Sequence, residues 1–134
     1  MARMDLRVRL VGRVLGRFSI AGLDDARLAR VQQQRIGHNR LTDLVFGSVA
    51  PGVELADETA AGADGPVPVR VYRPHGARSG PLPLVVNFHG GGWTIGSLDM
   101  ADWLCSNVAV ALPAVVVSVD YRLAPQHRWP GANR

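Results

Sequence analysis

Lysine is absent from this chain. All fifteen basic residues are arginine, a pattern that records genomic base composition more simply than it records function. Cysteine occurs once, as Cys105, which excludes an internal disulfide and fits a reducing, cytoplasmic location. Aromatic residues make up 6% of the chain, and no aromatic-and-basic array suggests stacking on bases. The net charge is +4, but the arginines beyond residue 40 are scattered, so no nucleic-acid partner is expected. No apolar run approaches a membrane span, and no signal-peptide core precedes a small-residue cleavage site. His38, in Gly-His-Asn-Arg, has no second ligand at useful spacing, so no metal is expected. The glycine-rich stretch lacks both G-K-[ST] and G-x-G-x-x-G, which argues against a phosphate-binding cofactor.

What is present suits a soluble globular protein: 47% apolar and 19% charged residues over 134 positions, enough for one domain with a modest core. Residues 4–18 carry Leu6, Leu10, Val14 and Phe18 at helical spacing, with Arg3, Arg7, Arg9, Arg13 and Arg17 around them. This pattern predicts an amphipathic helix that packs on the rest of the protein. A membrane-surface anchor and an organelle transit peptide are the alternatives. Gly22 marks a break, and Asp24 or Asp25 can cap a second helix running to about Ile36. Residues 37–51 read as a connector ending in the turn signal Pro51-Gly52. Residues 53–59 and 67–72 alternate as strands, and Ala-Ala-Gly-Ala-Asp-Gly between them predicts an antiparallel hairpin. Residues 73–81 form a loop that exposes His75.

The chain is organised around Leu84-Val-Val-Asn-Phe-His-Gly-Gly-Gly-Trp93. Its apolar run predicts a strand buried on both faces. The three glycines after it forgo side-chain packing and gain a backbone that can turn sharply and present bare N–H groups to a bound atom. Two such groups aimed at one point suit an oxygen that acquires negative charge in acyl transfer. A helix is expected from Gly96, capped by Ser97 or Asp99, with Met100, Trp103, Leu104, Val108, Ala111 and Leu112 as its apolar face and Pro113 as its end. Cys105, without a paired histidine or a C-x-x-C partner, reads as an inert buried thiol. Residues 115–119 form another buried strand, giving a strand–helix–strand parallel unit.

Tyr72-Arg-Pro, His89-Gly-Gly-Gly-Trp93 and Asp120-Tyr-Arg-Leu-Ala-Pro125 together resemble the hormone-sensitive-lipase family of α/β-hydrolases, over about residues 53–132. The resemblance implies an α/β fold with a partial α/β-hydrolase sheet of about four strands (residues 51–134) behind an amino-terminal helical cap-like segment (residues 1–50). It implies a serine esterase or lipase acting on a small acyl ester without a cofactor. Gly91 and Gly92 would donate their N–H groups to the oxyanion, with Gly90 allowing the turn and His89 supporting the loop rather than relaying protons. Trp93 would wall the acyl pocket. Asp120, Tyr121 and Arg122 would brace the loops, the aspartate and arginine as an ion pair.

The family's nucleophile motif G-D-S-A-G-G has no counterpart here. Ser19, Ser48, Ser79, Ser97, Ser106 and Ser118 all fall outside a G-x-S-x-G frame, and the triad's acid and base, later still in the family, are missing too. The expectation is an amino-terminal fragment, inactive alone, whose strand at residues 84–88 lies on the sheet edge and invites self-association or a complementary fragment. A non-catalytic interaction module, or a degenerate gene product using that edge or the basic helix, is the alternative.

Overall fold

The computed structural model describes Gly16, residues 22–34, Gly37, residues 39–77 and residues 80–133. Gly16 apart, the amphipathic stretch 4–18 lies outside these residues, as do Ile36 and His38. Helix α1 (Asp25–Gln33) starts where Asp24 accepts the Arg27 N–H at 2.7 Å. The presumed connector after it holds a further helix, α2 (Arg40–Phe46). Asn39 and Thr42 exchange side-chain and backbone hydrogen bonds at its start, at 2.9 and 3.1 Å. This reciprocal cap uses Asn and Thr where the better-known signature has Ser/Thr and Glu, so the short helix escaped notice.

Strands β1 (Val53–Gly62) and β2 (Gly65–Pro74) pair antiparallel around the two-residue turn Ala63-Asp64, so the hairpin arms are longer than their alternation suggested. Strand β3 (Leu84–Phe88) leads through a 3-10 turn (Leu98–Ala101) into α3 (Asp102–Ala111) and then β4 (Val115–Val119), which lies parallel to β3. The sheet order is β1-β2-β4-β3. Strand β2 meets β4 antiparallel from Val69 onward, just after Pro68, which has no N–H to give a ladder.

Side-chain alternation sorts the sheet into two faces. On the α3 face an apolar row crosses all four strands, Leu55–Tyr72–Val116–Val85, and beside it a polar row, Asp57–Arg70–Ser118–Asn87. Tyr72 and Val116 form the core with Ala101, Cys105 and Ala109. In the polar row Asn87 donates to Ser118 Oγ at 3.0 Å.

Three expectations are corrected here. Strand β3 is not buried on both faces: Leu84, Val86 and Phe88 stay exposed on the face away from α3. The apolar stripe assigned to α3 is not what faces the sheet. Leu98, Ala101, Asp102, Cys105, Ser106 and Ala109 are buried, whereas Met100, Trp103, Leu104 and Leu112 are exposed. The reason is steric and electrostatic together: small residues let the helix approach closely, and Asp102 is drawn to Arg70. Ser97 makes no cap bond, and Asp99 instead accepts from Arg70 at 3.1 Å.

Candidate active site

Past Phe88 the chain leaves the sheet as a tight loop. Gly91, Gly92 and Trp93 all adopt positive φ, at 130°, 60° and 59°. The two glycines do so without steric cost; for Trp93 the left-handed conformation costs about 1–2 kcal/mol. The Gly91 carbonyl closes the turn by accepting from the N–H groups of Thr94 at 3.2 Å and Ile95 at 3.1 Å and from Thr94 Oγ1 at 3.1 Å. A Cβ on Gly91 would overlap the Ile95 carbonyl oxygen. One on Gly96 would strike the His89 imidazole and the Gly90 carbonyl. Among the described residues, nothing accepts from the N–H of Gly91 or of Gly92.

His89 is buried beneath this loop, its Nδ1 2.9 Å from the Gly90 carbonyl oxygen. Since a carbonyl only accepts, Nδ1 carries the proton there, and Nε2 is left buried without a partner. The Tyr121 ring stacks on the imidazole, with centroids 4.3 Å apart, while its hydroxyl donates to the His89 carbonyl at 2.7 Å. Burial raises the Tyr121 phenol above its ordinary pKa. The Ala124 N–H donates to the Trp93 carbonyl at 2.8 Å. Residues 120–125 thus hold the glycine loop at two carbonyls.

The expected Asp120–Arg122 ion pair is absent. Arg122 lies 3.9 Å from Asp64 in the β1–β2 turn. Arg122 lines the cleft wall as well as the crevice behind the loop, and the Asp120 N–H donates to the Pro68 carbonyl at 3.0 Å. The strong buried Asp–Arg contact lies elsewhere. Arg70 binds Asp57 through Nε at 2.6 Å and Nη2 at 3.1 Å. Its Nη1 reaches Asp99 at 3.1 Å and both oxygens of Asp102 at 3.0 Å. Asp102, 1% exposed, also accepts from the Tyr72 hydroxyl at 2.6 Å. The Asp57 bonds lift the Arg70 pKa most, against the desolvation that burial imposes, with Asp102 and Asp99 adding. Burial first, then Asp102, lifts the Tyr72 phenol. This cluster anchors the start of α3 to the sheet and lies on the opposite face from the cleft.

The cleft, of about 640 Å³, opens over the carboxyl ends of β3 and β4. The glycine loop, His89, Trp93, Tyr121 and Arg122 line it, joined by Val67, Phe88 and Val119 from the sheet and by residues 131–133. Of the sequence-derived site residues, Asp120 alone stays off this wall; it lines a second crevice, of about 530 Å³, behind the loop. Trp93 is 63% exposed at the rim. Among the described residues, no three His, Cys, Asp or Glu side chains are grouped as metal ligands, and no helix is long and apolar enough to cross a membrane.

Residues 85–134 match a family model described as an alpha/beta hydrolase fold. Esterase LipI of Mycobacterium tuberculosis is 44% identical over 94 residues, 69% of this chain and 29% of that protein. Carboxylesterase NlhH of the same organism is 51% identical over 76 residues, 55% of this chain and 24% of that protein. The hyperthermophilic esterase from the archaeon Pyrobaculum calidifontis superposes with a TM-score of 0.66 at 32% identity, covering 98% of this chain and 39% of that one. The chain is an α/β-hydrolase of the hormone-sensitive-lipase type. It spans less than a third of the length of the curated relatives named above. Within this α/β-hydrolase, β3 and β4 are the parallel strands of the sheet, and the glycine loop sits at the carboxyl end of one of them, where open α/β sheets carry their ligands.

Two structural residues went unnoticed in the sequence, one at the glycine loop and one on the opposite face of the sheet. Gln32 of α1 donates through Nε2 to the carbonyls of Thr94 and Ala124, each at 2.7 Å. It sits in a run of three glutamines that carries no positional signal. Arg70 did have one: in the alternating stretch Val69-Arg-Val-Tyr72 it shares a face with Tyr72, so its charge had to be met on the helix side.

Proposed function

We propose that this α/β-hydrolase acts in carboxylic-ester hydrolysis, and that these 134 residues supply its oxyanion site. The observation that carries the reading is the pair of N–H groups, Gly91 and Gly92, on the wall of the cleft, for which no acceptor stands among the described residues. Backbone donors fixed beforehand stabilise a tetrahedral oxyanion without reorganising during reaction. His89, tied to the Gly90 carbonyl and clasped by Tyr121, keeps the loop in place, and Trp93 flanks the acyl group. The attacking hydroxyl and its base are not among these residues, since no serine stands in the required frame. The chain alone therefore turns over no ester and takes no label from a fluorophosphonate probe.

The test is an exchange of the matching segment of LipI for this chain's residues, assayed with a short-chain p-nitrophenyl ester. The chimera should hydrolyse the ester, and Gly91→Ala within it should lower kcat by roughly 10²–10³-fold. Unchanged turnover in the Gly91→Ala chimera would refute the assignment.

A second reading, as a strand-pairing module, draws on β3, an edge strand with exposed Leu84, Val86 and Phe88 and no charged residue. Its partner would be an extended strand, from a second copy or a complementary fragment.

A further inference from the structure

Gln32 ties α1 to the segment that follows the glycine loop. Its two partners belong to different segments. Thr94 follows the glycines, and Ala124 lies in the loop whose own N–H holds the Trp93 carbonyl. Both partners are carbonyl oxygens, so only the NH₂ end of the side chain can face them, and its two hydrogens match two acceptors. Neither glutamate nor a hydrophobic residue of the same size can make this contact. Thr94 and Ala124 lie outside the strand ladders, and the carbonyls of both accept from Gln32. We propose that Gln32 is a positioning residue for the oxyanion loop: an amide clamp that couples the placement of α1 to the geometry of Gly91 and Gly92. The role rests on the oxyanion reading above, while the clamp itself can be measured without it.

A helix clamped this way transmits its own displacement to the loop. Whatever moves α1 releases Thr94 and Ala124 at once, and the Ala124-to-Trp93 bond behind the glycines loosens with them. A helix that merely packed would move without freeing these carbonyls.

The experiment is amide hydrogen exchange on the full chain, comparing wild type, Gln32→Ala and Gln32→Glu, with the Val116 and Val117 amides of β4 as an internal reference. Net hydrogen bonds of ordinary strength lost at two carbonyls should lower the protection factor of the Ala124 amide by roughly tenfold in Gln32→Ala, with β4 unchanged. Gln32→Glu keeps the length and shape but brings a carboxylate to two carbonyls, so its loss should equal or exceed that of alanine near neutral pH. In acid, the protonated carboxyl regains one O–H donor, and protection at Ala124 should partly return; the wild-type protection factor should not follow this pH course. Wild-type protection in Gln32→Glu at neutral pH, or equal losses at Ala124 and in β4, would overturn the clamp. Failure of the LipI chimera with the exchange pattern intact would instead strike only the oxyanion reading.

Discussion

Replacing Tyr72 by phenylalanine removes one hydrogen bond to a buried carboxylate and little else. The ring is fully buried and remains in the core, so the cavity left is only that of a hydroxyl group. The lost bond, 2.6 Å to Asp102, is of the charged kind, which contributes about 1.5–3 kcal/mol. Asp102 retains Arg70 Nη1 at 3.0 Å from each oxygen, so its charge is not stranded, and the cost falls in the lower part of that range, about 2 kcal/mol. With a urea slope of about 1–3 kcal/mol per molar, the unfolding midpoint should fall by roughly 1 M, read by tryptophan fluorescence at two protein concentrations. A double-mutant cycle with Asp102→Asn should return a coupling of about 1–2 kcal/mol. A midpoint within about 0.2 M of wild type, at an unchanged slope, would refute the reasoning. So would strict additivity in the cycle.

Three further outcomes are expected. Burial pushes the Cys105 thiol from 9.0 up to about 11 and raises the Tyr72 phenol. The unfolded chain then loses those protons first as pH rises, so stability held below about pH 9 should decline between about pH 9 and 11, by about 2–3 kcal/mol for the thiol; Cys105→Ala should flatten that decline, and an unaltered slope would contradict it. Native Cys105, 1% exposed, should react with a thiol reagent at least about tenfold more slowly than in urea, measured by stopped-flow absorbance. Val86→Lys puts a charge at the centre of the β3 edge and should shift any self-association toward monomer by light scattering; association that ignores this change would rule the edge out as the contact.

Much of the sheet was legible because it depends on local chemistry. Turn residues at 60–65 announced the hairpin, and the strand–helix–strand unit followed from two apolar runs and a proline stop. The loop at His89–Trp93 was legible because consecutive glycines after a strand have few other uses. What stayed hidden depends on long-range contact. Gln32 meets its acceptors 62 and 92 residues away, and nothing in its neighbours marks it. The true inner face of α3 was masked by its large residues: Trp103 and Leu104 look like core, yet the helix sits on Ala101, Cys105, Ala109 and a charged aspartate because close approach and the Arg70 cluster outweigh area. The Asp120–Arg122 pair failed for a geometric reason, as residues two apart in an irregular loop need not face each other.

The polar row across the helix side of the sheet also acts as an index. Slide β4 by one position against either neighbour, and Ser118 turns outward while a valine meets the Arg70 guanidinium and the Asn87 amide. A slip against β3 would leave the half-buried Asn87 amide without its Ser118 partner, which disfavours that alignment. That check is made on the far surface from the cleft. Cleft residues such as Val67, Phe88 and Val119 can therefore drift in size without the strands ever losing count.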